Sequence, residues 1–376
     1  MPSANVSAAA FSDTKPHYLI LDGLRGVAAL MVVAFHVFEA FATSHLDQRV
    51  NHGYLGVDFF FILSGFVVAY AYDDRPLSPL QFIKRRIIRL HPMVIFGAFL
   101  GAALFYFQDY ALWDVSAVTV SALLFATLLN ALLIPASQGI EVRGLGEMFP
   151  LNGPSWTLFF EYIGNLLYIF LLRKFSSRAL TVLVVLAGIG LAAFAIFGPL
   201  GDVCAGWALT RTEVTGGMLR LLFSFSAGLL LSRVFQPVNV RGAFWICALV
   251  LVVLLGWPRI GGADRLWLNG LYETVCCLLV FPLLVLLGAS GKVTDRFTRG
   301  LCRFLGDISY PLYLVHYPFI YLYYAWVKNN ELTFEQSLPG AAALVAGSIV
   351  LAWLALKLYD IPVRRYLSRR FVQKEN

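Results

Sequence analysis

The sequence has little charge. Of 376 residues, 14% are Asp, Glu, Lys or Arg and 59% are hydrophobic, whereas a soluble domain carries roughly 25% charged residues. Mean hydropathy is +0.73. A chain this apolar would need a core larger than its surface could cover, which excludes a water-soluble globular protein. Long polar stretches are also lacking. The longest run to about 20 residues, too few for a second domain with its own core. Cysteine is scarce and odd in number: Cys204, Cys247, Cys276, Cys277 and Cys302. Four lie in or beside apolar stretches, and none has metal-ligand spacing with histidine. Neither a disulfide framework nor a metal site is therefore expected, and thiol catalysis is set aside. There is no internal repeat and no low-complexity tract. The polar segment Met1–Tyr18 lacks a basic stretch ahead of an apolar core. The alanines Ala8–Ala10 are accordingly not read as a signal-peptidase site, and the first apolar stretch is expected to stay as a membrane helix.

What the sequence does have is apolar runs of membrane-spanning length. Candidate spans fall near 20–42, 53–72, 93–110, 115–135, 155–172, 179–199, 216–232, 242–258, 269–290, 309–327 and 339–358. About 20 apolar residues cross a bilayer as a helix, whereas barrel strands are about ten residues long and alternate. The fold class is therefore all-α, a polytopic membrane helical bundle. The expected organisation is a polar tail over 1–18, a membrane domain over 19–366 and a basic tail over 367–376.

Charge placement sets the orientation. Basic residues cluster at Arg75–Arg89, Arg173–Arg178, Arg233–Arg241, Lys292–Arg303 and Lys357–Lys374, twenty in all. Six lie in the other loops: Arg49, Arg143, Arg211, Arg259, Arg265 and Lys328. The positive-inside rule puts the twenty, and both termini, in the cytoplasm. The net charge of +7 is read as this bias, and no nucleic-acid partner is expected. Two cytoplasmic termini require an even number of crossings, yet eleven segments are present. About ten crossings are expected, with either 93–110 or 115–135 re-entrant. A bacterial inner membrane is the expected location.

Ionisable residues inside a bilayer are costly and usually functional. The first span holds Asp22, Arg25 and His36. Arg25 and His36 are eleven residues apart, about three helical turns, so they share a face and lie roughly 16 Å apart along the axis. Arginine grips phosphate oxygens in bidentate, charge-assisted bonds. Histidine is suited to taking a proton from an attacking hydroxyl near neutral pH. One cation at the surface and one base deeper in the membrane would hold the two ends of an acyl-CoA. Each residue also has a bland reading: Arg25 as an interfacial anchor, Asp22 as its i, i+3 partner, His36 as an interhelical hydrogen bonder.

In Lys84-Arg85-Arg86-Ile87-Ile88-Arg89-Leu90-His91-Pro92, Arg86 and Arg89 stand at i, i+3 and could add cations to a nucleotide site. A positive-inside loop looks the same. Asp58 and Glu161 are buried carboxylates that could orient a histidine or pair with an arginine. Arg220 and Glu273 are expected to be structural. A competing function is a transporter or flippase with Asp22, Arg25 and His36 lining the path. A non-catalytic scaffold is a third.

The chain resembles the acyltransferase-3 family of membrane acyltransferases. The carriers are LDGLRGVAALMVVAFH, GYLGVDFFFILSGFVVAY, KRRIIRLHP, PSWTLFFEYIGNLLY and LGDISYPLYLVHYPF, five matches in order over about residues 18 to 366. The resemblance implies transfer of an acyl group, commonly acetyl, from acyl-CoA (acetyl-CoA) to a hydroxyl of a glycan or lipid-linked glycan acceptor. No permanently bound cofactor is implied. His36 would be the general base, with Asp22 and Glu161 as further catalytic groups. Arg25, Arg86, Arg89 and Tyr310 would bind the donor. His316 competes with His36 as the base, and His91 lies beside the basic run. A covalent route through Ser64 stays open. Some members carry an added hydrolase-like domain. The sequence stops about ten residues after Arg365, so the membrane domain alone is expected to reach the acceptor. The loop 136–154 is a departure that could shape an outer acceptor site.

Overall fold

The computed structural model describes residues 17–372, leaving out 45, 112, 138 and 141. The tail before His17 and the basic residue Lys374 lie outside the described residues. Among the described residues there are thirteen α-helices and no strand. Each of the eleven apolar stretches is helical. The helices are α1 (Leu19–Glu39), α2 (Gly56–Tyr72), α3 (Pro79–Leu104), α4 (Val120–Ala131), α5 (Ser155–Phe170), α6 (Ser177–Phe197), α7 (Arg211–Val234) and α8 (Ala243–Gly256). Then come α9 (Leu266–Val275), α10 (Phe281–Ser290), α11 (Arg296–Asn329), α12 (Phe334–Ala355) and α13 (Ile361–Phe371). Seven helical segments are long and apolar enough to cross a membrane: α1, α2, α3, α6, α7, α9–α10 and α12–α13. The protein is an all-α polytopic membrane protein.

Local sequence explains where helices start and bend. Ser78 caps α3 by accepting from the Gln81 amide while the Gln81 side chain answers back, and Pro79 fills the first turn. As a result the basic run Lys84–Arg89 is not a loop but the opening turns of α3. Two long spans contain a wide π turn, at Cys276–Val280 and Leu356–Asp360, each followed within two residues by a proline, Pro282 and Pro362. Proline cannot bond to the carbonyl four residues back and clashes with it, so a widened turn relieves the fault. Pro318 leaves the Leu314 carbonyl inside α11 without its helical donor, and the Asn152 side chain donates to that carbonyl at 2.8 Å.

Of the two short apolar helices, α4 and α8, α4 is the shorter. Its 12 residues reach about 18 Å, short of the roughly 30 Å hydrocarbon core. It starts beside the end of α3, where the Tyr106 hydroxyl donates to the Val118 carbonyl at 2.9 Å. The chain then returns to the same level, because Arg143 donates to Gln108, just past α3. Residues Tyr18 and Tyr70 pack edge to face at 4.8 Å, and Arg233 pairs with Asp73 at 2.6 Å. The starts of α1 and α3 and the ends of α2 and α7 therefore share one face of the bundle.

Helices α1 and α11 run parallel and in close contact. A Cβ at Gly26 would lie 2.5 Å from the Leu305 carbonyl oxygen, and one at Gly306 would lie 2.7 Å from the Asp22 Cβ. Small residues let membrane helices approach at backbone distance. This seam carries the site.

Candidate active site

At one end of the seam the side chains are cationic. The Arg25 Nε donates to the Ser309 hydroxyl at 2.8 Å and an Nη donates to the Gly306 carbonyl at 3.0 Å. Asp22 lies 3.2 Å from Arg25 and 3.3 Å from His17. Arg89, Glu161 and Asp307 lie near enough to act on the Arg25 charge. From α3, Arg86 is buried and pairs with Glu161 of α5 at 2.7 Å. The Ser64 hydroxyl donates to the same Glu161 oxygen at 2.8 Å. Arg89 is exposed. The Tyr310 hydroxyl donates to the Leu90 carbonyl at 2.5 Å, locking α11 to α3.

At the other end the seam holds two imidazoles. His36 Nδ1 is 2.9 Å from the Glu39 carboxylate. A carboxylate accepts, so Nδ1 carries the proton and Nε2 keeps its lone pair. The His316 ring lies 5.5 Å from that of His36, and the Tyr317 ring lies 4.7 Å away. His316 Nδ1 donates to the Leu312 carbonyl at 3.0 Å, which leaves its Nε2 with a lone pair too. That Nε2 is buried and without a partner. Orphaned buried polar atoms are rare in folded proteins, and each calls for an explanation. A substrate hydroxyl would satisfy this one.

The loop after α4 closes the histidine end. Arg143 is buried against the Tyr321 ring, 3.6 Å from its centre. The Tyr321 hydroxyl donates to Glu147 at 2.5 Å, and the Tyr317 hydroxyl reaches Glu147 at 3.5 Å. Glu147 is thereby joined through Tyr317 to the face of His36.

The structure thus divides the expected site residues into two groups. Asp22, Arg25, Arg86, Arg89, Glu161 and Tyr310 gather at one end, with Ser64 among them. His36 and His316 stand at the other. No hydrogen bond among the described residues joins Asp22 or Glu161 to His36. Arg86 and Arg89 do not share a partner, since Arg86 is taken up by Glu161. Ser64 meets a carboxylate rather than a histidine, and His91 contacts Tyr162 at 3.3 Å. Asp58 and Arg220 pair with each other at 2.7 Å. Two residues escaped sequence reasoning. Glu39 stood at i+3 from His36 and could have been found by that spacing. Glu147 sits in a loop without periodicity, and no local signal marks it. The cysteines are all free.

A family model for an acyltransferase domain matches residues 18–357. The chain belongs to the acyltransferase-3 family. That makes it an acyltransferase and sets aside the transporter and scaffold readings. It is 33% identical over 173 residues to "Protein 2 in picA locus" of Rhizobium radiobacter, covering 43% of this chain and 84% of that protein. It is 28% identical to "Exopolysaccharide production protein ExoZ" of Rhizobium meliloti, covering 72% of this chain and 79% of that one. It is 25% identical to "O-acetyltransferase OatA" of Staphylococcus aureus over 84% of its length. The chain spans about half of the Staphylococcus relative, 53%. No solved structure matches.

Proposed function

We propose that this acyltransferase moves an acyl group, acetyl in the simplest case, from acyl-CoA to a hydroxyl of a glycan or lipid-linked glycan. The observation that carries this reading is the seam itself. Arg25 and His36 of α1 both face α11, the first against Ser309 and the second beside His316. Their axial separation of roughly 16 Å suits a pantetheine arm. The names of the Staphylococcus and Rhizobium meliloti relatives support O-acetylation and a polysaccharide acceptor.

The arginine end holds the phosphates of the donor, and by the positive-inside rule this face is the cytoplasmic one. The acceptor arrives from the opposite face, past the loop carrying Glu147. Its hydroxyl oxygen attacks the thioester carbonyl carbon. His36 Nε2 takes the hydroxyl proton as the new C–O bond forms, and Glu39 stabilises the resulting imidazolium through Nδ1. The C–S bond breaks, and the departing thiolate recovers the proton from Nε2. The products are an ester and free CoA thiol, and His36 returns to its starting state. A thiolate is a good leaving group, so no separate strong acid is needed.

The test is thiol release by purified protein given acetyl-CoA and candidate glycans. Mass spectrometry of surface glycans, with and without the gene, would identify the acceptor. Thiol release with no ester formed on any glycan would refute the glycan assignment. Labelling of a cysteine at Ser78 by an impermeant reagent added outside intact cells would refute the orientation.

A further inference from the structure

Three features of the arginine end remain unused. The first is helix α13. It lies beyond residue 357, where the family match ends, yet it packs against α3. The π turn Leu356–Asp360 sets its direction. Tyr359 meets Phe96 of α3 at 5.5 Å. Arg89 lies seven residues back along α3 and Arg364 five residues on along α13, and Arg89 is near enough to act on the Arg364 charge. Tyr310, already fixed to α3, lies close enough to Arg364 to feel its charge.

The second feature is an imperfect ion pair. Arg364 binds Asp360 at 2.6 Å through one nitrogen and one oxygen. Asp360 Oδ1 and Arg364 Nε are both buried and unpartnered. Asp360 is 1% exposed. A bidentate pair would have used both atoms, so the geometry holds a donor in reserve. The third is like charge. Arg25, Arg89 and Arg364 come from three helices; Arg89 lies near enough to act on the charge of each of the other two, with Asp307 near both and Asp22 and Asp360 each paired to one arginine. The Arg86 Nε is buried and unpartnered as well. Like charges brought together repel unless an anion separates them.

We infer that Arg364 is a phosphate-binding residue, closing a three-arginine pocket with Arg25 and Arg89 around the phosphorylated head of the donor. This rests on the acyl-CoA reading above. The role of Asp360 is to hold Arg364 before the ligand arrives. Binding then recruits the spare Nε and shares the guanidinium between Asp360 and a phosphate oxygen. The ligand class is a nucleoside phosphate. Its contact is either the pyrophosphate or the ribose 3′-phosphate.

The test is CoA binding to full-length purified protein by titration calorimetry, with thermal unfolding as the folding control. The variants are D360N, R364K and the doubly neutral D360N/R364Q, which avoids stranding a buried charge. D360N/R364Q should weaken CoA by about ten- to a hundredfold, the usual loss of a charge-assisted contact. R364K should recover part of it, since charge survives without the planar fork. D360N keeps the arginine but weakens its anchor, so it should lower CoA affinity by clearly less than D360N/R364Q does. Dephospho-CoA assigns the contact. If D360N/R364Q binds it as the parent does, Arg364 meets the 3′-phosphate; equal weakening of both ligands means the pyrophosphate. If D360N weakens CoA as much as D360N/R364Q does, the pair is structural and the inference is overturned. Unchanged CoA affinity in D360N/R364Q, with a clear loss in R25A, overturns the inference and leaves the donor reading standing. A parent protein that binds no CoA sinks the donor reading itself.

Discussion

Two regions of the bundle bury polar groups, and they do so in opposite ways. Between α2, α7 and α9, Arg220 grips Asp58 through two nitrogens at 3.1 and 2.7 Å and also donates to the Ala205 and Tyr54 carbonyls. Glu273 accepts from Tyr54, from the Val203 amide at 2.7 Å and from Asn269 at 2.6 Å. His52 is held between the Trp257 carbonyl and Asn269 at 2.7 and 2.9 Å. None of these side chains keeps a buried atom without a partner, although the Ser224 and Ser226 hydroxyls of α7 do. The α1–α11 seam and its surroundings do, at His316 Nε2, Arg86 Nε and Arg364 Nε. A saturated network fixes a structure. An unsaturated one has capacity for something that is not protein.

Breaking the seam should change the rate and leave the fold alone. His36→Gln should lower kcat by about 10²–10⁴-fold, the usual contribution of a positioned base, with CoA affinity and thermal unfolding unchanged. Near-parental turnover in folded H36Q would move the base to His316, and H316Q would then carry the loss. Breaking the saturated network should do the reverse. Arg220→Met strands Asp58 and should cost about 3–5 kcal/mol of stability, read as a large drop in the unfolding temperature. Arg220→Met with Asp58→Leu should recover most of that. If R220M unfolds like the parent, the contrast between the regions fails.

Smaller effects sharpen the comparison. Arg25→Lys keeps the charge and loses the fork to Ser309 and Gly306, so KM for acyl-CoA should rise about tenfold, the value of one charged hydrogen bond. An equal fall in kcat at saturating donor would instead place Arg25 in the chemistry. Glu39→Gln should lower kcat by a similar factor, since the imidazolium loses its counter-charge while His36 keeps a hydrogen-bond partner. A parental kcat in E39Q would remove Glu39 from the mechanism.

Much of this was legible in the residues. Apolar length alone located eleven stretches that are helical, because a bilayer imposes one dimension on its spans; the polar helix α13 and the first turns of α3 lay outside them. The shared face of Arg25 and His36 follows from helical geometry, and the structure keeps it. Other features required three dimensions. No spacing within α1 shows that Arg25 meets Ser309 or that His36 meets His316, since those contacts join residues hundreds of positions apart. The shortness of α4 required the structure too, since twelve residues form helix where about twenty were apolar. The basic run looked like a loop because charge obscured a capped helix start. Arg364 read as one more positive-inside residue until the π turn aimed it back at α3.

The contact between Arg25 and Ser309 spans 284 positions, and this has a consequence for biogenesis. Ribosomes add about 5–20 residues per second, so roughly a quarter of a minute to a minute separates the synthesis of α1 from that of α11. Throughout that interval its arginine has a single companion on its own helix, Asp22, one turn away. Asp22, which still pairs with Arg25 at 3.2 Å in the finished protein, is thus the counter-charge at hand before Ser309 and Gly306 exist.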